Sequence, residues 1–323
     1  MRVALFALGG TISVTGGTPR LTGEQIAAGV PGLDGLGVRI DVRDVAALPS
    51  SGLTFTRVLE VVDAASRAVA DGAAGAVVTQ GTDTLEETAF LAGLVWPHDE
   101  PLVFTGAMRN PTLAGADGPA NVLAAVRVAV ATPARGLGVL VVFNDQVHAA
   151  RRVRKTHSTS TAAFVSPDSG PLGHVVEDRV RILAVPPRPG PLPHRPSPER
   201  LAATRVAVYT AVLDDDGTLV DDLARDRQGL VVAGFGVGHV AGALAPRLGA
   251  VAGRMPVVLA SRTGAGPVLR ATYRSPGSET DLLGRGLLDA GMLDPWKARV
   301  LLRLLLAGGA GRDEIASVFA EWG

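Results

Sequence analysis

The sequence contains no cysteine, and that one absence removes disulfides, thiolate metal sites and cysteine nucleophiles together. Aromatic residues are scarce, with two tyrosines, three tryptophans and eight phenylalanines in 323 residues, so the core must be built mainly from aliphatic side chains. Neither sign of charge is in excess: Lys plus Arg and Asp plus Glu both total 31. Without a net positive field, polyanion binding needs a local basic patch. The only candidate is the short run Arg151-Arg152-Val153-Arg154-Lys155, so nucleic acid is not an expected partner. No apolar stretch approaches the roughly 20 residues that span a bilayer, and the run at 3–8 ahead of Gly9-Gly10 is short for the core of a signal peptide. With a cysteine-free composition that suits a reducing compartment, these features predict a cytoplasmic protein with no membrane partner. His98, His148, His157, His174, His194 and His239 are scattered with no pair at ligand spacing, so no metal is expected.

What is present is a regular alternation. Apolar, β-rich runs at 3–8, 38–42, 76–79, 101–105 and 138–143 are separated by helical patterns at 22–28, 54–70, 86–94 and 120–131. That order predicts an α/β fold with a mostly parallel sheet flanked by helices, and continuous rather than alternating apolar runs suit strands covered on both faces. The proline-dense segment 185–198 can be neither regular helix nor central strand. The expected organisation is therefore a larger N-terminal catalytic α/β domain at 1–185, a linker at 186–203 and a smaller α/β C-terminal domain at 204–323. In the latter, strands are expected at 205–210, 230–233 and 256–260, with a helix at 241–251. Asp294 as cap and Pro295 at the first helical position open a helix through 306, and a last helix covers 313–321.

Ligands of open parallel sheets bind beyond the carboxyl ends of the strands, and three turns there carry chemistry. Gly9-Gly10-Thr11-Ile12 presents a hydroxyl after two glycines that let the backbone come close to a ligand; alone, the string is equally a tight turn with an incidental threonine. Thr79-Gln80-Gly81-Thr82-Asp83-Thr84 crowds hydroxyls and a carboxylate into one turn. It is also an ordinary helix start, with Asp83 or Thr84 as cap and Glu86 and Glu87 at the positive end of the dipole, but that reading leaves the crowding unexplained. Lys155, in Val153-Arg154-Lys155-Thr156, is as a lone lysine ordinarily a solvated charge. Packed against Thr82 and Asp83, with burial and neighbours lowering its pKa, it would instead be placed to take a proton from the threonine.

Together these turns resemble the bacterial-type L-asparaginases, the asparaginase/glutaminase family. The closing segment Leu293-Asp294-Pro295 followed by Lys297-Ala298-Arg299-Val300-Leu301-Leu302 resembles that family too, so the likeness spans nearly the whole chain. The resemblance implies hydrolysis of L-asparagine to L-aspartate and ammonia, with Thr11 attacking the side-chain carbonyl carbon to give an acyl-enzyme. It implies a relay of Thr82, Asp83 and Lys155 that positions water and moves protons, and backbone N–H groups of the glycine turns, including that of Gly81, as oxyanion donors. Ser50 and Ser51, with Asp83, would hold the substrate's α-carboxylate and α-amino groups, although Ser50-Ser51-Gly52 read alone is a turn plus helix cap. Glu279 matches a glutamate that reaches a neighbouring subunit's site, and His239 a polar position near that boundary; read alone, Glu279 is an acidic residue at a helix start. A homotetramer of two intimate dimers is implied, and no cofactor.

One departure stands out. Family members carry a tyrosine on the mobile loop after the first threonine, whereas residues 13–20 here contain none. Their glycines still suit a closing lid, and Tyr273 of a neighbouring subunit is a candidate replacement. Two alternatives stay open. One is a broader asparagine/glutamine amidase, because one methylene changes discrimination by only about 1–3 kcal/mol. The other is a catalytically impaired aspartate/asparagine-binding protein. The glycine string at 234–238 is weak evidence for a nucleotide site.

Overall fold

The five apolar runs of the N-terminal half form parallel strands: β1 (Arg2–Ala7), β2 (Arg39–Asp44), β3 (Gly75–Thr79), β4 (Leu102–Thr105) and β5 (Val139–Phe143), in the spatial order β5-β4-β3-β1-β2. The computed structural model describes residues 1–14 and 20–323, and the chain divides into two units, Met1–Pro191 and Leu192–Gly323. The lid expected over 13–20 lies largely outside the described residues.

Helices α1 (Gly23–Ala28), α2 (Phe55–Ala70), α3 (Leu85–Gly93) and α4 (Gly118–Val130) connect these strands. Successive side chains of a strand face opposite ways, and β1 accordingly feeds two cores. Ala4, Phe6 and Leu8 pack with Val61, Val62, Leu85 and Ala89 of α2 and α3. Val3, Leu5 and Ala7 pack with Ile26 of α1 and Val122, Ala125 and Val126 of α4. Strand β2 is the exception to the continuous apolar pattern: its alternating Arg39, Asp41 and Arg43 sit at the sheet edge, where solvent accepts them. Thr22 caps α1 through a capping box with Gln25, and Thr54 caps α2 by accepting the Arg57 N–H, so both helices start one residue later than their patterns suggested.

The sheet continues where the sequence reading stopped. Asn144 and Asp145 adopt φ of 49° and 59°, the two-residue hairpin conformation that asparagine and aspartate tolerate. They reverse the chain into β6 (Gln146–Ala149), antiparallel to β5. A two-stranded hairpin of β7 (Arg154–Lys155) and β8 (Phe164–Val165) follows, then β9 (Gly173–Val176) and β10 (Arg179–Ile182), which complete the order β10-β9-β6-β5.

In the second unit, β11 (Val206–Thr210), β12 (Gly229–Gly234), β13 (Val257–Ser261) and β14 (Leu288–Asp289) form a parallel sheet in that order. Around it lie α5 (Pro198–Ala203), α6 (Thr218–Arg225), α7 (Ala245–Ala252), α8 (Glu279–Gly284), α9 (Pro295–Gly308) and α10 (Arg312–Trp322). Helix α5, capped by Ser197 with Pro198 in its first turn, occupies residues expected to be linker. The helix expected over 241–251 is a 3-10 turn, Gly242–Leu244, followed by α7, because Pro246 is tolerated only in a first turn. Asp294 caps α9 by accepting the N–H groups of Trp296 and Lys297.

Candidate active site

Strands β1 and β3 are neighbours, yet β2 lies beyond β1 and β4 beyond β3, so the chain's direction of winding reverses between them. Such a switch point opens a crevice at the carboxyl ends of the strands. Gly9 and Gly10, which follow β1, have φ of 88° and 92°. With ψ at −170°, Gly10 lies in a region that essentially only glycine enters. It is also pressed against the next turn: a Cβ at Gly10 would stand 2.2 Å from the Gly81 nitrogen, and one at Gly81 would stand 2.8 Å from Ser50 Oγ. A Cβ at Gly106, beyond β4, would lie 2.3 Å from the Gln80 carbonyl oxygen. Missing side chains thus let the ends of three strands and the Ser50 loop interlock, and Thr11 and Thr82 each follow directly on the Gly10–Gly81 contact.

Lys155 reaches this place from β7. Its Nζ donates to Thr82 Oγ1 at 2.9 Å and to Asp83 Oδ1 at 3.3 Å, which joins residues more than seventy apart in the chain. The lysine side chain is 17% exposed and the aspartate 67%, so the ion pair adds little stability. What the arrangement offers is a cation held on a threonine hydroxyl beside a carboxylate open to solvent. Ser50 is buried, its Oγ accepts the Asp83 N–H at 3.1 Å, and its carbonyl accepts the Thr84 hydroxyl at 2.9 Å. Thr84 does stand at the N-cap of α3, but its side chain makes no capping bond; the hydroxyl holds the Ser50 loop instead. Ser51 is exposed.

Three supports were missed in the sequence. Gln80 is fully buried and accepts the Thr88 hydroxyl at 3.0 Å. The Asp117 carboxylate accepts the N–H groups of Met108 and Arg109, while Asn121 donates to the Gly106 carbonyl and accepts the Asn144 N–H. This pair fixes the turn after β4 relative to the end of β5. Its only local sign is Asp117 ahead of Gly118-Pro119 at a helix start. Glu86, assigned only to the helix dipole, is buried with its Oε2 2.6 Å from the Lys155 backbone nitrogen.

Glu279 and His239 meet in the second unit. Glu279 is 0% exposed, and its Oε1 accepts the N–H groups of Thr272 at 2.9 Å and Tyr273 at 2.7 Å. His239 Nε2 lies 3.1 Å from Glu279 Oε2, and its ring meets Tyr273 edge-on at 4.8 Å. Burial alone would raise the Glu279 pKa, but the N–H groups of Tyr273, Glu279 itself and Thr272, with the His239 ring, hold it below the ordinary value. The carboxylate thus faces its own unit and supports His239 and the half-exposed Tyr273 from behind. The glycine string at 234–238 folds back on itself, with Phe235 and His239 bridged.

Comparison with known proteins settles what this frame belongs to. Residues 2–188 match the family model described as Asparaginase, N-terminal. The chain belongs to the asparaginase family. Residues 205–319 match the Glutaminase/Asparaginase C-terminal domain of the same family. A "Probable L-asparaginase" of Deinococcus radiodurans is 36% identical, with 99% of this chain and 97% of that protein aligned. A "Glutaminase-asparaginase" of Pseudomonas fluorescens biotype A is 31% identical, over 99% and 90% respectively. Among solved structures, a "Probable Cytoplasmic L-asparaginase from Campylobacter jejuni" superposes with a TM-score of 0.87 at 31% identity, covering 99% of each chain. Among the described residues of this asparaginase-family chain, no helix is long and apolar enough to cross a membrane, and no group of three or more His, Asp or Glu could hold a metal ion.

Proposed function

We propose that this chain is an L-asparaginase that converts L-asparagine to L-aspartate and ammonia through a threonine acyl-enzyme. The observation that carries the reading is the Lys155–Thr82 contact of 2.9 Å, beside the turn that bears Thr11. The Thr11 hydroxyl attacks the side-chain carbonyl carbon, the C–N bond breaks, and the nitrogen leaves as ammonia with the hydroxyl proton. Water then attacks the β-acyl ester, the ester C–O bond breaks, and aspartate is released with Thr11 restored. Thr82, Asp83 and Lys155 orient that water and carry its proton. Backbone N–H groups at the interlocked glycine turns, Gly81 among them, stabilise the oxyanion. Ser50, Ser51 and Asp83 hold the α-carboxylate and α-amino groups. No cofactor takes part.

The catalytic domain in this scheme is 1–185, joined through 186–203 to the smaller domain 204–323. The enzyme works in the cytoplasm as a homotetramer of two intimate dimers, with His239 and Tyr273, held by Glu279, facing a neighbouring copy. A glutaminase-asparaginase among its relatives makes glutamine the second substrate to try.

The test is ammonia release by the purified protein from L-asparagine, L-glutamine and D-asparagine, with Thr11→Ala and Thr82→Ala alongside, and light scattering for assembly. Release from L-asparagine that either substitution abolishes is the expected result. No release from any amide, with aspartate still binding in a titration, would sink the catalytic reading and leave a binding protein.

A further inference from the structure

We infer that Glu86 is a positioning residue for Lys155; the kinetic part of this inference rests on the amidohydrolase reading above. Lys155 is attached at two points to one short stretch of chain. Its Nζ donates to Thr82 Oγ1 at 2.9 Å, and its backbone N–H donates to Glu86 Oε2 at 2.6 Å, a charge-assisted length. Thr82 stands ahead of α3 and Glu86 lies in its first turn, so the helix start fixes the two anchor points relative to each other. The hairpin that carries the lysine is tied to the core by Val153 and Phe164, and Glu86 adds a bond at Lys155 itself. Among the described residues the two-residue strand β7 pairs with the two of β8, with the Thr156 N–H donating to the Ala163 carbonyl just beyond, and so short a ribbon contributes little rigidity of its own.

Burial separates this role from the dipole role. A carboxylate in a first helical turn is favoured at the surface as well, and the adjacent Glu87 is less buried in the same turn. Glu86 is only 8% exposed, at a desolvation cost that a purely dipolar contribution does not require. The buried carboxylate is aimed at the main chain of the one residue whose ammonium touches Thr82. Removing it frees β7 to shift and draws Nζ away from the hydroxyl.

The chain suits a direct test because it has two lysines, Lys155 and Lys297, and Lys297 is fully buried. Glu86→Ala, Glu86→Gln, Lys155→Ala and the double variant Glu86→Ala/Lys155→Ala are compared for kcat and KM on L-asparagine. Pulsed acetylation of Lys155 in the folded proteins, read by peptide mass spectrometry, runs alongside. Glu86→Ala is expected to lower kcat by about 10–100-fold, the scale of a misplacement of roughly 1 Å, with KM within about threefold. Glu86→Gln, which keeps an acceptor oxygen at the same reach, retains most of kcat. In the Lys155→Ala background the alanine change adds less than about twofold, because the group it positions is gone. Acetylation of Lys155 is faster in Glu86→Ala than in the parent. Wild-type kcat and labelling rate in Glu86→Ala would overturn the inference, as would an undiminished loss on top of Lys155→Ala. If the parent releases no ammonia, the amidohydrolase reading fails, and the labelling comparison alone decides the role of Glu86. If the alanine variant does not fold, Glu86→Asp replaces it in every comparison, since it keeps the charge but draws it back by one methylene. A lowered kcat with faster labelling in Glu86→Asp then supports the role, and wild-type values of both overturn it.

Discussion

Acidification should loosen the first unit by an amount traceable to one side chain. His148 lies on β6 opposite Val141 of β5 and is 0% exposed. Its Nδ1 is 2.9 Å from Ser166 Oγ, and its Nε2 has no hydrogen-bond partner among the described residues. Burial, and secondarily the nearby His174, push the imidazole pKa down from 6.5 to about 4. The folded chain therefore keeps the ring neutral through a range in which the unfolded chain protonates it. There the unfolded state binds more protons, so stability falls as pH falls. The contribution is fully present above pH 6.5 and lost by about pH 4. At about 1.4 kcal/mol per pH unit, that interval is worth about 3 kcal/mol.

The assay is urea denaturation at steps of about one pH unit from neutrality downward. It would follow the fluorescence of Trp96, the one tryptophan of the first unit, with Trp296→Phe and Trp322→Phe made throughout. The perturbation is His148→Leu. At neutral pH that variant loses about 1 kcal/mol, because Ser166 gives up its partner. Its stability should then decline less steeply with acid, so that the two curves cross and the variant is the more stable near pH 4. Parallel curves for the two proteins, or a native imidazole resonance titrating near pH 6.5, would refute the argument.

Gly10→Ala should cost both stability and rate. The added methyl stands 2.2 Å from the Gly81 nitrogen at a φ of 92°, so the expected loss is about 1–3 kcal/mol from the backbone alone, and kcat should fall about a hundredfold; unchanged kcat would mean that the two turns can part without consequence. Ser50→Ala removes the acceptor of the Asp83 N–H and should raise KM for L-asparagine, with about 1 kcal/mol at stake for one lost hydrogen bond whose donor can turn to solvent, while leaving the fold intact by circular dichroism. Glu279→Gln should destabilise the second unit above the ordinary carboxylate range, because the native carboxyl is held in its charged form by N–H donors. That advantage is lost as pH falls through the lowered native value, so the gap between parent and variant, followed through Trp296 and Trp322, must narrow in acid. Tyr273→Phe should lower kcat if the exposed phenol stands in for the missing loop tyrosine; unchanged turnover would end that idea.

The parallel frame was legible because it is a local property. Aliphatic runs such as 75–79 and 139–143 need only be apolar and β-branched to announce a strand covered on both faces. Asp294 announces itself as a cap because it bonds two and three residues ahead and Pro295 follows it, whereas Thr22 and Thr54, which cap by bonding three residues ahead, read in sequence as the first residues of their helices. The antiparallel extension escaped notice because β6, β9 and β10 are four residues each and mix polar with apolar positions. Their pairing depends on partners that local pattern does not reveal.

The same division runs through the site. Gly9-Gly10-Thr11 and Gly81-Thr82-Asp83 were identifiable because strand-end turns rich in glycine and hydroxyls are short-range features. Sequence by itself determined which strand-end turns are candidates for chemistry, the order of the parallel strands along the chain and the family they belong to. Tertiary structure alone decided that Gly10 and Gly81 touch, that Lys155 closes on Thr82, that Glu86 holds the lysine's main chain and that Glu279 faces inward. Each of these depends on which distant segment fills the space beside a residue, and an isolated stretch of chain does not encode its neighbour.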